Sequence, residues 1–195
     1  MPKTPSNDVE LGTLAPDFRL PDASGAQFAL ADVADSHAVL IAFISNRCPF
    51  VVLIREQLAQ FARDYADRGL AVIAINSNDD AAHPEESVER IAQEVSEQGY
   101  IFPYLKDASQ DVAKAFGAAC TPDLFLYDQD RRLAYHGQFD DARPGNGKPV
   151  TGADLRRAAD LVLAGAALDF QQTPSIGCNI KWTPGNEPSS FSTAA

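Results

Sequence analysis

Ser45-Asn46-Arg47-Cys48-Pro49-Phe50 is the stretch of this chain best equipped for chemistry. It lies between an apolar run, Ala38 to Ile44, and a segment in which Ile54, Leu58, Phe61 and Tyr65 recur at helical spacing. A cysteine at a strand-to-helix turn, with proline at the first helical position, is a place where thiol chemistry is set up. A free thiol with pKa near 8.5 is only about 3 % thiolate at pH 7. A helix N-terminus favours the anion by roughly 0.3–1 kcal/mol, and by up to ~2 when partly buried. At about 1.36 kcal/mol per unit, the helix alone lowers the pKa by roughly one unit. Arg47 adds a comparable contribution if its guanidinium turns toward the sulfur. Cys48 is therefore a candidate nucleophile, with Ser45 and Arg47 as its helpers. The competing reading is an inert cysteine plugging the strand–helix joint, since free cysteine is among the most buried residue types.

Ser45 occupies the position where a dithiol centre of the form Cys-x-x-Cys would have its first sulfur. In such a centre one thiolate attacks the mixed disulfide formed by the other and releases the reduced substrate. A hydroxyl forms no disulfide, so that chemistry is closed to Ser45. What Ser45 can do is donate a hydrogen bond to a Cys48 thiolate or to a peroxide held beside it. Attack of the thiolate on a peroxide oxygen leaves a sulfenic acid, which a second thiol must resolve. Cys120 and Cys178 are the remaining thiols. Each also has a structural reading: Cys120 as a small buried residue before a strand, Cys178 as a residue pinning the C-terminal segment or pairing with Cys120.

The elements that must hold this turn follow from alternating strand and helix signals. Asp17–Leu20 and Gln27–Leu30 flank Asp22-Ala23-Ser24-Gly25 and predict a hairpin. After the strand to Ile44 come a helix from about Pro49 to Arg68 and a strand over Leu70–Asn76. A second helix opens at Pro84 and ends near Gly99. Phe102–Leu105 is a short extended piece, and Ser109–Phe116 a short helix closed by Gly117. Leu124–Tyr127 and Leu133–Phe139 form a second hairpin about Asp128-Gln129-Asp130. Thr151-Gly152-Ala153-Asp154 has the form of a capping box before a last helix to about Ala164. This order predicts an α/β domain over residues 1–168, a central mixed β-sheet flanked by helices with an N-terminal β-hairpin extension. Residues 169–195, rich in Pro, Gly and Ser without a clear period, form a C-terminal tail.

The 195 residues suit one domain, and a net charge of −11 argues against nucleic acid or an anionic membrane surface as partner. No apolar run approaches the ~20 residues that span a bilayer. The N-terminus lacks the apolar core of a secretory signal, which makes a cytoplasmic protein the expectation. His37, His83 and His136 are scattered without metal-ligand spacing, so no metal or other cofactor is expected. Gly145-Asn146-Gly147-Lys148 lacks phosphate-loop spacing and reads as a flexible loop. Asp140 and Asp141 before Arg143 read as a solvated or ion-paired turn.

Longer motifs carry a resemblance that covers nearly the whole chain: Gly12 to Phe18, Ala74–Asp79, Gly117–Asp123, Gly137–Gly147 and Ser175–Trp182. On these the sequence resembles the thioredoxin superfamily, in its peroxiredoxin-like AhpC/TSA (redoxin) branch. The resemblance implies a thioredoxin-like fold and a thiol-dependent antioxidant oxidoreductase, Cys48 attacking a peroxide or disulfide. A thioredoxin- or glutathione-type reductant would regenerate it. Relatives read Cys-Asn-His-Cys where this chain has Ser45-Asn46-Arg47-Cys48. Peroxiredoxins carry Pro-x-x-x-Thr/Ser-x-x-Cys and a later arginine that holds the peroxide. Here the proline position is Ile41 and the arginine position Pro122, which leaves Arg47 as the substitute cation. Thr121-Pro122 resembles the cis-proline loop that lies opposite the active-site turn and forms the substrate groove, pairing with incoming peptide. Two alternatives stay open: a non-catalytic thioredoxin-like binding module using that groove, and a monothiol protein exchanging glutathione mixed disulfides. Oligomeric state is left open.

Overall fold

The computed structural model describes residues 3–189. In chain order the elements are β1 (Lys3–Pro5), β2 (Arg19–Pro21), β3 (Gln27–Ala29), β4 (Ala38–Phe43), α1 (Pro49–Ala66), β5 (Leu70–Asn76), α2 (Val88–Gln98) and β6 (Tyr104–Lys106). They continue with α3 (Asp111–Phe116), β7 (Cys120–Thr121), β8 (Asp123–Tyr127), β9 (Leu133–His136), α4 (Ala153–Leu163) and β10 (Ile176–Asn179).

The central sheet has the order β6-β5-β4-β8-β9. β4 runs parallel to β5, β5 parallel to β6, while β8 is antiparallel to both β4 and β9. β4 lies at its centre and every one of its residues is buried. That is why the sequence there is a continuous apolar run rather than an alternation. Leu40 and Ala42 face a core shared with Ile54, Leu58 and Phe61 of α1, Ile91 of α2 and Leu155 of α4. Val39, Ile41 and Phe43 face the opposite core, where Phe116 of α3 and Phe18 and Leu20 of the N-terminal hairpin pack. Helices thus cover both faces of a mixed sheet, and β2 and β3 form the expected antiparallel hairpin. The fold is thioredoxin-like.

Three details depart from the sequence reading. Pro84–Glu86 is a separate 3₁₀ turn, and the second helix starts only at Val88 because Ser87 is extended. The Glu86 side chain is turned inward instead of lining a first helical turn. At α4 the expected capping box is absent: Gly152 is the N-cap, and Asp140 accepts from Thr151 N–H at 2.6 Å and Gly152 N–H at 2.7 Å. Asp140 is therefore a buried structural acceptor rather than a solvated turn residue.

The third departure is the C-terminal segment, which contributes a strand. β10 lies between β1 and β7, antiparallel to both. Beyond it, Lys181 N–H donates to Asn78 Oδ1 at 2.8 Å, Gln110 Nε2 donates to the Lys181 carbonyl at 2.9 Å, and Gln110 Oε1 accepts from Thr183 N–H at 2.9 Å. Ile180 and Trp182 are buried in the second core. The segment carries no period because its backbone, not a repeating side-chain pattern, secures it.

Candidate active site

Cys48 is the N-cap of α1, with extended backbone (φ −62°, ψ 122°) and Pro49 at the first helical position. The first turn of α1 holds no acidic residue, so nothing there offsets the positive end of the helix dipole. The thiol is 2 % exposed and its Sγ lies 3.0 Å from the Thr121 carbonyl. Thr121 is in β7, and the Thr121–Pro122 peptide bond is cis. Directly across the antiparallel register from Thr121 stands Cys178. The close approach of the two strands requires Gly177: a Cβ there would lie 1.9 Å from the Thr121 oxygen.

The electrostatics of Cys48 follow from these neighbours. A hydrogen bond from the Cys178 thiol favours the Cys48 anion most strongly. Burial opposes it, and the Thr121 hydroxyl and the backbone N–H groups of Cys178 and Val51 add further donors. The net result is a Cys48 pKa lowered to about 6. Cys178 shifts the other way: donating a hydrogen bond to Cys48, then burial and the Cys48 charge, hold it protonated well above the ordinary thiol range. One thiol is poised as nucleophile, and the other keeps a proton to give.

Ser45 does not serve the sulfur. Its hydroxyl donates to Glu86 Oε1 at 2.7 Å and accepts from Cys48 N–H at 3.2 Å. The fully buried Glu86 also accepts from Asn46 N–H at 3.0 Å and Asn76 Nδ2 at 2.7 Å. The Asn46 side chain is held by Tyr104 and by the Glu85 carbonyl. The turn before Cys48 is thus fixed by a buried polar network around one carboxyl group. Such an acceptor-only group requires donors from several elements at once.

Arg47 also departs from the sequence expectation. Its guanidinium pairs with the Glu85 carboxylate and lies 3.4 Å from the His83 ring, at the surface. It is not among the groups that favour the Cys48 anion. Cys120 is fully buried with Sγ toward the Pro122 carbonyl, and its backbone pairs with Asn179 rather than Cys178. Burial, then the charge of Asp123, raises its pKa well above the ordinary value. Of the two candidate resolving thiols, Cys178 lies at Cys48. Cys120, one residue before Thr121 in β7, belongs to the opposite side of the strand.

The substrate groove expected at Thr121 and Pro122 is filled by the chain itself, because β10 takes up the backbone pairing of Thr121. Beyond Pro122, buried Asp123 accepts from Ser6 Oγ at 2.7 Å and Ala119 N–H at 3.0 Å, and lies 2.8 Å from His136 Nε2. His136 in turn stacks on Phe125. Glu86 and His136 are site-supporting residues without a local signal, since their partners lie on other elements, whereas Asp123 ends the Gly117–Asp123 motif. Among the described residues, no cluster of three or more His, Cys, Asp or Glu side chains is placed to hold a metal ion. No helix there is long and apolar enough to cross a membrane. A cleft of about 780 Å³ between residues 6–11, β9 and residues 162–174 contains none of the cysteines.

The family model described as the AhpC/TSA family matches residues 11–136. The chain belongs to the AhpC/TSA family. Within that match lie the Cys48 turn and the Thr121–Pro122 loop, while β10 and Cys178 lie beyond it. The crystal structure of a hypothetical protein from Sinorhizobium meliloti 1021 is similar at 70 % identity and a TM-score of 0.92, over 93 % of this chain and 100 % of that one. An uncharacterized conserved protein from Geobacillus kaustophilus is similar at 47 % identity and a TM-score of 0.92, over 95 % and 98 % of the two chains. Among curated proteins, thiol-disulfide oxidoreductase ResA of Geobacillus thermodenitrificans is 26 % identical over 130 residues, 67 % of this chain and 70 % of the relative.

Proposed function

We propose that this AhpC/TSA-family protein is a thiol oxidoreductase in which the Cys48 thiolate attacks a peroxide or a small disulfide. The observation that carries this reading is the place of the Cys48 thiol, at the N-cap of α1 beside Thr121 and in one cavity with Cys178, where its pKa is lowered to about 6. The name of the curated relative, a thiol-disulfide oxidoreductase, supports the reaction class. With a peroxide, the thiolate takes the terminal oxygen, becomes a sulfenic acid and releases an alcohol or water. With a small disulfide, it takes one sulfur and releases the other as a thiol. A thioredoxin- or glutathione-type reductant returns the cysteine to its starting state.

The reading as a partner-binding module at Thr121 is disfavoured by one contact, the pairing of Thr121 with Cys178 of the same chain. The test is rapid mixing of the reduced protein with hydrogen peroxide and, separately, with glutathione disulfide, with Cys48 followed by sulfenic-acid trapping and mass spectrometry. Modification of Cys48 at least tenfold faster than of a free cysteine supports the proposal. A Cys48 that reacts no faster than free cysteine with both oxidants rejects it.

A further inference from the structure

We propose that Cys178, carried on β10, is the second redox cysteine of this site and closes a disulfide with Cys48, supplying from the C-terminal segment the thiol that Ser45 lacks. This rests on Cys48 being the nucleophile.

The geometry comes from three independent placements. Cys48 Sγ is 3.0 Å from the Thr121 carbonyl, and Cys178 is the residue opposite Thr121 in the β7–β10 register. Both cysteines line the same small cavity, about 10 Å³, together with Ser45, Arg47, Thr121 and Lys181. That is room for about one water-sized molecule. Finally, Gly177 lets β10 approach Thr121 so closely that any side chain at 177 would collide with its oxygen. These placements put both thiols at one cavity beside Thr121. β10 is bordered by β1 on its other side, and the polar clamp at Lys181 and Thr183 anchors the chain after it. Cys178 is therefore presented by an ordered strand and not by a loose tail.

The chemistry balances without a further component. A peroxide converts the Cys48 thiolate to a sulfenic acid, the oxidant leaving as alcohol or water. The Cys178 sulfur then attacks the Cys48 sulfur, its proton leaves with the sulfenic oxygen as water, and an S–S bond forms. If the oxidant is a small disulfide, Cys178 attacks the Cys48 sulfur of the mixed disulfide and displaces the second thiol. In both cases two thiols lose two electrons to one oxidant, and a dithiol or two monothiols must return them. The strand that carries Cys178 also occupies the backbone edge of Thr121, so oxidants are restricted to molecules that need no strand pairing there.

The test uses the full chain and reads thiols directly. After one equivalent of hydrogen peroxide, free thiols fall from three to one, and peptide mapping finds Cys48 linked to Cys178 with Cys120 still reduced. In Cys178→Ser, confirmed as folded by circular dichroism, no link forms and Cys48 sulfenic acid is trapped at least tenfold more abundantly than in the wild type. Cys120→Ser leaves both results unaltered. Equilibration in a series of oxidised and reduced glutathione buffers reads the pair independently of peroxide turnover. A Cys48–Cys178 disulfide there with no reaction toward peroxide keeps the pair and removes the peroxide arm of the proposed function. Equal sulfenic-acid trapping in wild type and Cys178→Ser, with no link in either assay, overturns the role of Cys178 while Cys48 stands as nucleophile. A Cys48 inert in every assay overturns both.

Discussion

The Ser45 hydroxyl donates to the buried Glu86 carboxyl at 2.7 Å, and its oxygen accepts from Cys48 N–H at 3.2 Å. The residue that stands where a dithiol centre would carry sulfur is thus an anchor of the turn, committed on both its donor and acceptor sides. Position and chemistry are separated: Ser45 holds the backbone of Cys48, while the groups that tune its sulfur come from β7, β10 and the first turn of α1.

This division predicts the behaviour of Ser45→Ala. One oxygen of Glu86 loses a buried donor, which costs about 1–3 kcal/mol. Urea unfolding should show a loss in that range. The pH at which Cys48 becomes half reactive toward iodoacetamide should stay within a few tenths of the wild type. A large rise in that midpoint would instead make Ser45 a direct partner of the thiolate.

Arg47→Ala should change little. The guanidinium and Glu85 form a surface pair that solvent screens. Peroxide oxidation of Cys48 should proceed within about twofold of the wild-type rate, since no bond from Arg47 reaches the sulfur. A tenfold loss on removing this side chain would return Arg47 to the role of oxidant-binding cation.

The pH dependence follows from Cys48 and Cys178 together. Alkylation of Cys48 should fall roughly tenfold per unit below about pH 6 and level off above pH 7, because only the thiolate reacts. In Cys178→Ala the principal donor is gone, and the midpoint should move upward toward the ordinary thiol range. Folding stability responds in a defined direction. The folded pKa of Cys48 is depressed, so the unfolded chain binds more protons between about pH 6 and 9, and this contribution rises with pH across that window. It is lost as pH falls through 6. Comparing wild type with Cys48→Ser in urea at pH 5.5 and 8.5 isolates it: the wild type should gain relative to the variant at the higher pH.

Much of this arrangement is written locally. The unbroken apolar run at β4 states that the strand is covered on both faces, and the helical spacing after Pro49 places Cys48 at a helix start. Gln27–Ala29 and Arg19–Pro21 pair as the hairpin that their flanking turn residues call for. The partners of Cys48 are different in kind. Ile176-Gly177-Cys178-Asn179 has no alternation to mark it as a strand, because its role depends on backbone pairing with Cys120 and Thr121 from another part of the chain. Glu86 has the local look of an acidic first helical turn. Only the burial of its carboxyl against Ser45, Asn46 and Asn76 shows that it organises the turn. His136 carries no motif either, since the carboxylate that holds it, Asp123, is supplied by the neighbouring strand.

Gly177→Ala probes the seat of β10 without touching either sulfur. The added methyl would meet the Thr121 oxygen at 1.9 Å, so β10 must move away from β7. Forcing a group into such a closely packed site typically costs about 1–3 kcal/mol. Displacement of the strand withdraws both the thiol and the backbone N–H of Cys178 from Cys48. Two measurements should therefore move together: the alkylation midpoint of Cys48 should rise, and unfolding should occur at lower urea. A loss of stability with the midpoint unchanged near pH 6 would mean that β10 can shift without releasing Cys178, and that the thiol contact does not depend on the register with Thr121.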